Sequence, residues 1–185
     1  FQVVSIMTTT GFCTADFILW PAFAALLLVC FMFIGGCGGS TGGGMKHSRV
    51  ILLLKYAIAQ LERRIFRRSV SNIKLNKQWI NPSILHNVAS FFFLFVGLFV
   101  FFSLLVCLIG LDHGGEASME DLVTASTAAI ACLGNIGPGL AKVGATQTYS
   151  WMNPVTKLAL TLAMLFGRLE LYTVMVLFLP TFWKK

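Results

Sequence analysis

Apolar and polar segments alternate along the chain, and their lengths predict different kinds of helix. Residues 84–109 are 26 residues with no charged side chain other than a possible charge on His86, long enough to cross a bilayer as a tilted helix. Residues 22–34 are wholly apolar but give only about 20 Å of helix, which falls short of a hydrocarbon core of about 30 Å. A further span is predicted over 152–182, before a cytoplasmic anchor at 183–185.

A glycine-rich run interrupts the apolar pattern at residues 35–44, where seven of ten residues are glycine. Such a run disfavours helix, and an amphipathic helix is predicted to resume over 45–56. Helices broken near the bilayer midplane are common in transport proteins. A phosphate-binding loop is excluded, because its glycines must be followed by Gly-Lys-Ser/Thr and no strand precedes the run.

Two short polar turns containing glycine, at 8–12 and 134–139, follow short helical segments. The segment 120–131 is rich in Ala, Ser and Thr and too short to cross a bilayer, so we expect a re-entrant helix whose C-terminal end points at the midplane. Its dipole favours a cation there, and backbone carbonyls can replace a cation's hydration shell. The alternative is a pair of ordinary interfacial turns.

Composition supports a membrane protein: 57% of residues are hydrophobic, 11% are charged and the mean hydropathy is +0.81. The net charge of +7 follows topology, because nine of the fourteen Lys and Arg lie within residues 46–77. Basic loops mark the cytoplasmic side, so we expect this loop and the C-terminus to be cytoplasmic and expect no nucleic-acid partner. The five cysteines form neither a CxxC pair nor a zinc spacing.

Two half-copies of one pattern divide the chain into 1–56 and 84–185, joined by a basic connector, 57–83. A tryptophan precedes a glycine by 15 residues in the first copy (Trp20, Gly35) and by 16 in the second (Trp151, Gly167). The alignment places Arg168 near the middle of the last span, where a cation is costly and usually functional. The other interpretation is a structural arginine satisfied by carbonyls. Two copies do not enclose a pore that needs four, so we expect further N-terminal sequence.

Four motifs together carry a family resemblance: Thr-Thr-Thr-Gly-Phe at 8–12, the glycine run with Met-Lys after it at 35–46, Asn-Ile-Gly-Pro-Gly-Leu at 135–140, and Gly-Arg-Leu-Glu at 167–170. With these motifs the chain resembles the Trk/Ktr/HKT superfamily of potassium transporters, most closely the bacterial uptake subunits of the TrkH/TrkG type. The resemblance covers essentially the whole chain. It implies an all-α membrane protein with four helix–pore loop–helix repeats, similar to those of potassium channels. This chain would supply the second half of the four-repeat pore.

The resemblance also implies roles for residues. The implied potassium-binding filter residues are Thr9, Thr10, Gly11, Phe12, Asn135, Ile136, Gly137 and Pro138. The implied gating residues are Gly35, Gly36, Gly38, Gly39, Ser40, Thr41, Gly42, Gly43, Gly44 and Arg168. The second filter departs from the strict Thr-x-Gly-Tyr/Phe pattern, which predicts looser selectivity for potassium over sodium.

The implied function is gated potassium uptake across the bacterial inner membrane, with potassium as transported ion and no cofactor in this chain. The implied partners are the lipid membrane, a second copy in a homodimer, and a cytosolic TrkA-like regulatory subunit that binds NAD or ATP. The basic segment 46–77 is the expected contact for that subunit.

Two other classes of function were weighed. A secondary transporter of another small solute, with a midplane site at the broken helices, would use Arg168 and Glu170 as its candidate charge pair. An intramembrane enzyme would need catalytic groups at membrane depth, whereas His47, His86 and His113 fall at or outside the predicted interfaces. We therefore expect no enzyme activity.

Overall fold

A computed structural model of the chain describes residues 1–40, 42–66, 74–75, 78–109, 118–169, 176 and 180–183. These residues are mainly helical. The α-helices within them are α1 (Gln2–Met7), α2 (Ala22–Met32), α3 (His47–Ile65), α4 (Pro82–Ile109), α5 (Met119–Leu133), α6 (Pro154–Arg168) and α7 (Pro180–Trp183). Short 3-10 helices lie at Phe17–Leu19, Ala141–Val143 and Tyr149–Trp151, and strands β1 (Lys74–Leu75) and β2 (Gln78–Trp79) pair antiparallel.

Helix α4 is the long apolar helix that the hydropathy pattern predicts. Its 28 residues extend about 42 Å at 1.5 Å per residue. Within the part of the chain that the structure describes, Ser83–Ile109 is the one helix long and apolar enough to cross a membrane. Exposed apolar side chains such as Phe93, Phe101 and Leu108 lie along it, as expected of a surface that faces lipid.

Helix α5 is the most enclosed helix of the fold, because α4, α6 and α2 all pack against it. Its alanines let these neighbours approach closely, and Ala125, Ala128 and Ala129 are fully buried. Ser118 begins the helix by accepting a 3.2 Å hydrogen bond from Glu120 N, while Asp121 accepts one of 3.2 Å from Ser118 N. The helix runs two residues past the predicted end, Ala131, because Cys132 and Leu133 are also buried.

One apolar cluster joins the two half-copies. It brings Leu28 and Met32 of α2 against Phe95 of α4 and against Ile130 and Leu133 of α5. A second cluster lies within the 84–185 copy, where α4, α5 and α6 meet. The C-terminal end of α5 therefore has a fixed position relative to both copies.

Two element boundaries in the first copy differ from the sequence prediction. Helix α2 ends at Met32, and Ile34 forms a parallel bridge with Met45 across the glycine run. Helix α3 begins at His47 and continues to Ile65, past the predicted end at Tyr56, because its amphipathic pattern continues. The strands β1 and β2 were not predicted, since two-residue strands are too short for a hydropathy pattern to reveal.

The last predicted span, 152–182, is not one helix over its described part. Helix α6 starts at Pro154, with Asn153 accepting a 3.2 Å hydrogen bond from Val155 N, and it ends at Arg168. An apolar run that continues past a helix end hides that end from hydropathy. The predicted charge partner Glu170, the predicted gating residue Thr41 and the acidic loop at 110–117 lie outside the described residues.

Candidate functional site

The turns at 8–12 and 134–139, here the first and second turn, have the same backbone conformation. Both follow a helix, α1 or α5, and both fold back onto its last carbonyls. In each turn, three successive N–H groups donate to helix carbonyls four, three and five residues back. In the first turn these bonds are Thr8 to Val4 (2.9 Å), Thr9 to Ile6 (3.1 Å) and Thr10 to Ser5 (2.9 Å). In the second turn they are Gly134 to Ile130 (2.7 Å), Asn135 to Cys132 (3.0 Å) and Ile136 to Ala131 (2.8 Å). The half-copies seen in the sequence are thus structurally equivalent at this point.

Each turn also contains two residues with positive φ at matching positions. Thr9 has φ 56° and Asn135 has φ 54°, while Gly11 and Gly137 have φ 77° and 106°. Positive φ is uncommon for a residue other than glycine, and it costs free energy that the surrounding structure must offset. The same unfavourable conformation in both copies indicates a functional rather than an incidental turn.

The two turns lie side by side. A Cβ added to Gly11 would clash with Ile136 O and would lie 3.4 Å from Pro138 Cδ. A cleft of about 380 Å³ opens beside them and is lined by residues 10–12, 136–138 and the segment 143–149. The predicted filter residues Thr10, Gly11, Phe12, Ile136, Gly137 and Pro138 therefore border a common space, and Thr9 and Asn135 flank them in the chain.

The glycine run packs directly under the ends of α1 and α5. A Cβ on Gly43 would clash with Gly134 O, and one on Gly42 would lie 3.1 Å from Thr9 Oγ1. The ends of the run are joined by hydrogen bonds from Gly35 N to Met45 O (2.8 Å) and from Met45 N to Phe33 O (3.3 Å). Glycine is needed at position 43, because there backbone approaches backbone too closely for any side chain.

Lys46 holds the glycine run in a compact conformation, a role that the sequence analysis did not assign to it. Its Nζ donates hydrogen bonds to Ser40 O, to Gly42 O at 3.0 Å and to Ser40 Oγ at 3.3 Å. A single ammonium group thus bridges carbonyls two residues apart in the run. The sequence does show one lysine just after the glycine run. The same lysine could equally be the first basic residue of the following helix.

Arg168 lies beside the C-terminal end of α5. A Cβ on Gly167 would clash with Leu133 O, and Asn135 Nδ2 donates a 3.1 Å hydrogen bond to Met164 O. The end of α6 is therefore docked against the start of the second turn. Arg168 directly follows Gly167, the residue that makes this close contact, and it is exposed on the surface of the chain.

The segment after the second turn returns along α5 and is fixed to it by polar contacts. Thr127 Oγ1 accepts a 3.0 Å hydrogen bond from Leu140 N, and Lys142 Nζ forms a 2.6 Å ion pair with Asp121. The hydrogen bond to Asp121 raises the pKa of Lys142, because it favours the charged form of the amine.

Tyr149 ends this segment, and its hydroxyl donates a 2.8 Å hydrogen bond to Gly137 O. Burial raises the pKa of Tyr149, which keeps the phenol protonated as a donor. No sequence motif pointed to this residue, because its contact depends on how the loop folds back.

Among the described residues, no group of three or more His, Cys, Asp or Glu side chains is placed to hold a metal ion. His47 begins α3 and His86 lies in the first part of α4, and neither belongs to the two turns. The polar groups that the site does bring together are backbone carbonyls, hydroxyls and one ammonium. Of these groups, backbone carbonyls are the ones that can coordinate a monovalent cation.

Irregular backbone packed between short helices, beside an apolar helix of spanning length, is typical of helical membrane transport proteins. The chain belongs to the TrkH family, described as cation transport proteins, whose model matches residues 1–185. The resemblance found in the sequence is thereby confirmed, and the family is one of transporters rather than enzymes.

Several relatives share the whole length of this chain. It is 42% identical over 185 residues to the Trk system potassium uptake protein TrkH of Escherichia coli K12 and 31% identical to TrkG of the same strain. A crystal structure of the potassium transporter TrkH from Vibrio parahaemolyticus matches 98% of the chain with a TM-score of 0.85 and 38% identity. The chain spans 36% of the length of each of these proteins.

Proposed function

We propose that this chain forms the second half of a potassium pore, in a protein that takes up potassium across the bacterial inner membrane. The observation that carries the proposal is the matched pair of turns with positive φ at Thr9 and Gly11 and at Asn135 and Gly137. Alternating signs of φ let successive carbonyls project to one side, as an ion filter requires. Relatives named as potassium uptake proteins support potassium as the transported ion.

The proposed ion sites use carbonyls of Thr9, Thr10, Asn135 and Ile136, with the glycines permitting the turn. The short helices α1 and α5 end at these turns and act as pore helices, with their negative dipole ends facing the cation. Protein buries this irregular backbone on one side and the cleft borders the other, which is the condition for non-helical backbone at membrane depth.

The proposed gate consists of the glycine run and Arg168. The run packs under both turns through Gly42 and Gly43, which supports a barrier just inside the filter. Arg168 adds a positive charge near the same level, where it repels a cation until a conformational change moves it. No covalent step and no cofactor are needed for this mechanism.

The proposed setting is a homodimer in the inner membrane, with the basic segment 46–77 and the C-terminus in the cytoplasm. Exposed Arg63 and Arg64 at the cytoplasmic end of α3 support this orientation. A cytosolic TrkA-like subunit that binds NAD or ATP is the proposed regulator, and this basic surface is its proposed contact.

Potassium-dependent growth tests the proposal in a transport-deficient bacterium that expresses the full-length parent protein. We expect the parent to rescue growth at low potassium, Gly137→Ser to abolish rescue because a side chain at φ 106° distorts the turn, and Arg168→Ala to keep or raise uptake. Gly97→Ser is the matched control, since Gly97 lies in α4 with no described atom within 4 Å of an added Cβ.

Failure of these expectations would favour a different function. If the parent fails to rescue, or if Gly137→Ser behaves like Gly97→Ser, the turns are not an ion filter. Transport of a different small solute at the broken helices would then be the better hypothesis.

A further inference from the structure

Side chains outside the first turn hold the carbonyls at its outer end. Ser5 Oγ donates a 2.6 Å hydrogen bond to Phe12 O, and Cys13 Sγ makes a weaker contact of 3.7 Å with Gly11 O. Gly11 is also packed directly against Ile136 O. The first turn is therefore fixed both by hydrogen bonds and by close packing.

At Gly137 the second turn has, within the described part of the chain, no equivalent of the Ser5 hydrogen bond or of the close packing around Gly11. The backbone hydrogen bonds of the two copies place Ala131 where the first copy has Ser5, and alanine has no hydroxyl to donate. No described atom lies within 4 Å of a Cβ built on Gly137, so packing does not restrict this glycine. Pro138 has no N–H with which to tie the backbone at the next residue.

A different element restrains the second turn. Tyr149, from the 3-10 helix Tyr149–Trp151, reaches across the cleft and donates its hydroxyl to Gly137 O at 2.8 Å. Its side chain lines the same cleft as the filter residues of both turns. Among the described residues, this is the one hydrogen bond that the Gly137 carbonyl accepts.

We propose that Tyr149 is a positioning residue that fixes the peptide between Gly137 and Pro138 and thereby sets the selectivity of the pore between potassium and sodium. This inference rests on the proposed function. A turn held from behind cannot contract around a smaller ion, so sodium loses the close coordination that would replace its water. Without the phenol the glycine turn adapts, and sodium competes more effectively.

The test is the variant Tyr149→Phe in the full-length protein, which removes one oxygen atom and keeps the ring. Initial rates of potassium uptake are measured with and without sodium in the transport-deficient strain. We expect the maximal rate to stay within about twofold, while the apparent KM for potassium in the presence of sodium rises about threefold to tenfold, the size of effect typical of one lost hydrogen bond.

Two further variants separate this role from a general loss of structure. Thr161→Val removes a hydroxyl on the exposed side of α6 whose hydrogen bond goes to Lys157 O of the same helix, so it is the control and should behave as the parent. Ser5→Ala removes the hydrogen bond to Phe12 O, one residue past the glycine of the first turn, and we expect a shift in the same direction as for Tyr149→Phe. A second readout is the unfolding temperature of the purified protein in potassium and in sodium. We expect the difference between these two temperatures to be smaller in Tyr149→Phe than in the parent.

Three other outcomes would each overturn the inference, and they differ in what they say about the proposed function. An unchanged KM and unchanged sodium competition in Tyr149→Phe would overturn it while leaving the proposed function intact. Failure of Tyr149→Phe to accumulate in the membrane would show that the phenol serves folding and not selectivity. A parent protein that does not take up potassium would remove the proposed function and this inference with it.

Discussion

At the scale of single residues, the glycines of this protein differ in what they need. Gly11 has a positive φ, and Ile136 O also occupies the space that a side chain would need. Gly137 has a positive φ but open space around it. Gly97 has neither restriction and lies in the middle of α4. One residue type thus serves three purposes: close approach, left-handed backbone, and a small residue in an apolar helix.

This distinction predicts an order of stability for three alanine variants of the full-length protein. Gly11→Ala should be the most destabilising, because the clash with Ile136 O adds to the backbone strain. Gly137→Ala should cost about 1–2 kcal/mol from left-handed strain, and Gly97→Ala should be neutral or stabilising by up to about 1 kcal/mol. Apparent unfolding temperatures in detergent give the comparison, and an equal loss for Gly11→Ala and Gly97→Ala would contradict it.

At the scale of elements, the sequence was most informative where composition alone decides the structure. The length and hydropathy of 84–109 predicted α4, and the small residues and short length of 120–131 predicted α5 to within two residues at its C-terminal end. The glycine run was predicted to break the helix, and α2 does end just before it. These features depend on local propensity and burial, which can be predicted from a short stretch of consecutive residues.

The contacts between elements were not predictable in the same way. The hydrogen bond from Tyr149 to Gly137 depends on the path of the returning loop, and the contacts of Lys46 depend on how the glycine run folds back. The end of α6 at Arg168 lies beside two charged residues, 168 and 170, in an otherwise apolar stretch, and the hydropathy pattern did not reveal it. Each of these features is set by tertiary packing, for which residue type and spacing carry little signal.

The contacts of Lys46 predict how the glycine run behaves as an element. Lys46→Met keeps the length of the side chain but removes the hydrogen bonds to Ser40 and Gly42. If the run obstructs the pore, losing a restraint worth about 1 kcal/mol should raise potassium uptake about threefold to tenfold. Lys55→Met, at an exposed lysine of the helix α3 that follows Lys46, is the control. A fall in uptake at unchanged protein level would mean that Lys46 keeps the path open.

At the scale of the whole molecule, the chain presents surfaces that its own elements do not cover. Phe12 of the first turn is 72% exposed, although its neighbours line the cleft, and Leu19 is 83% exposed. Exposed apolar residues also lie along α2, where Phe23 and Leu26 are 76% and 62% exposed. The chain corresponds to 36% of the length of its relatives. In the proposed pore, we expect part of this surface to face lipid and part to face the other repeats.

The final prediction follows from that incomplete enclosure. In the proposed pore, two turns would line only one side of the pathway, and a cation that sheds water needs oxygens around it on all sides. We therefore expect residues 1–185 expressed alone to give no growth at low potassium, while the full-length parent rescues growth. Supplying the rest of the parent as a separate chain in the same cell should restore part of the uptake, and Gly137→Ser in the 185-residue chain should abolish that restoration. Rescue by the 185-residue chain alone would show that copies of this half assemble a complete pore, and the proposal of a single-chain pore with four repeats would then be wrong.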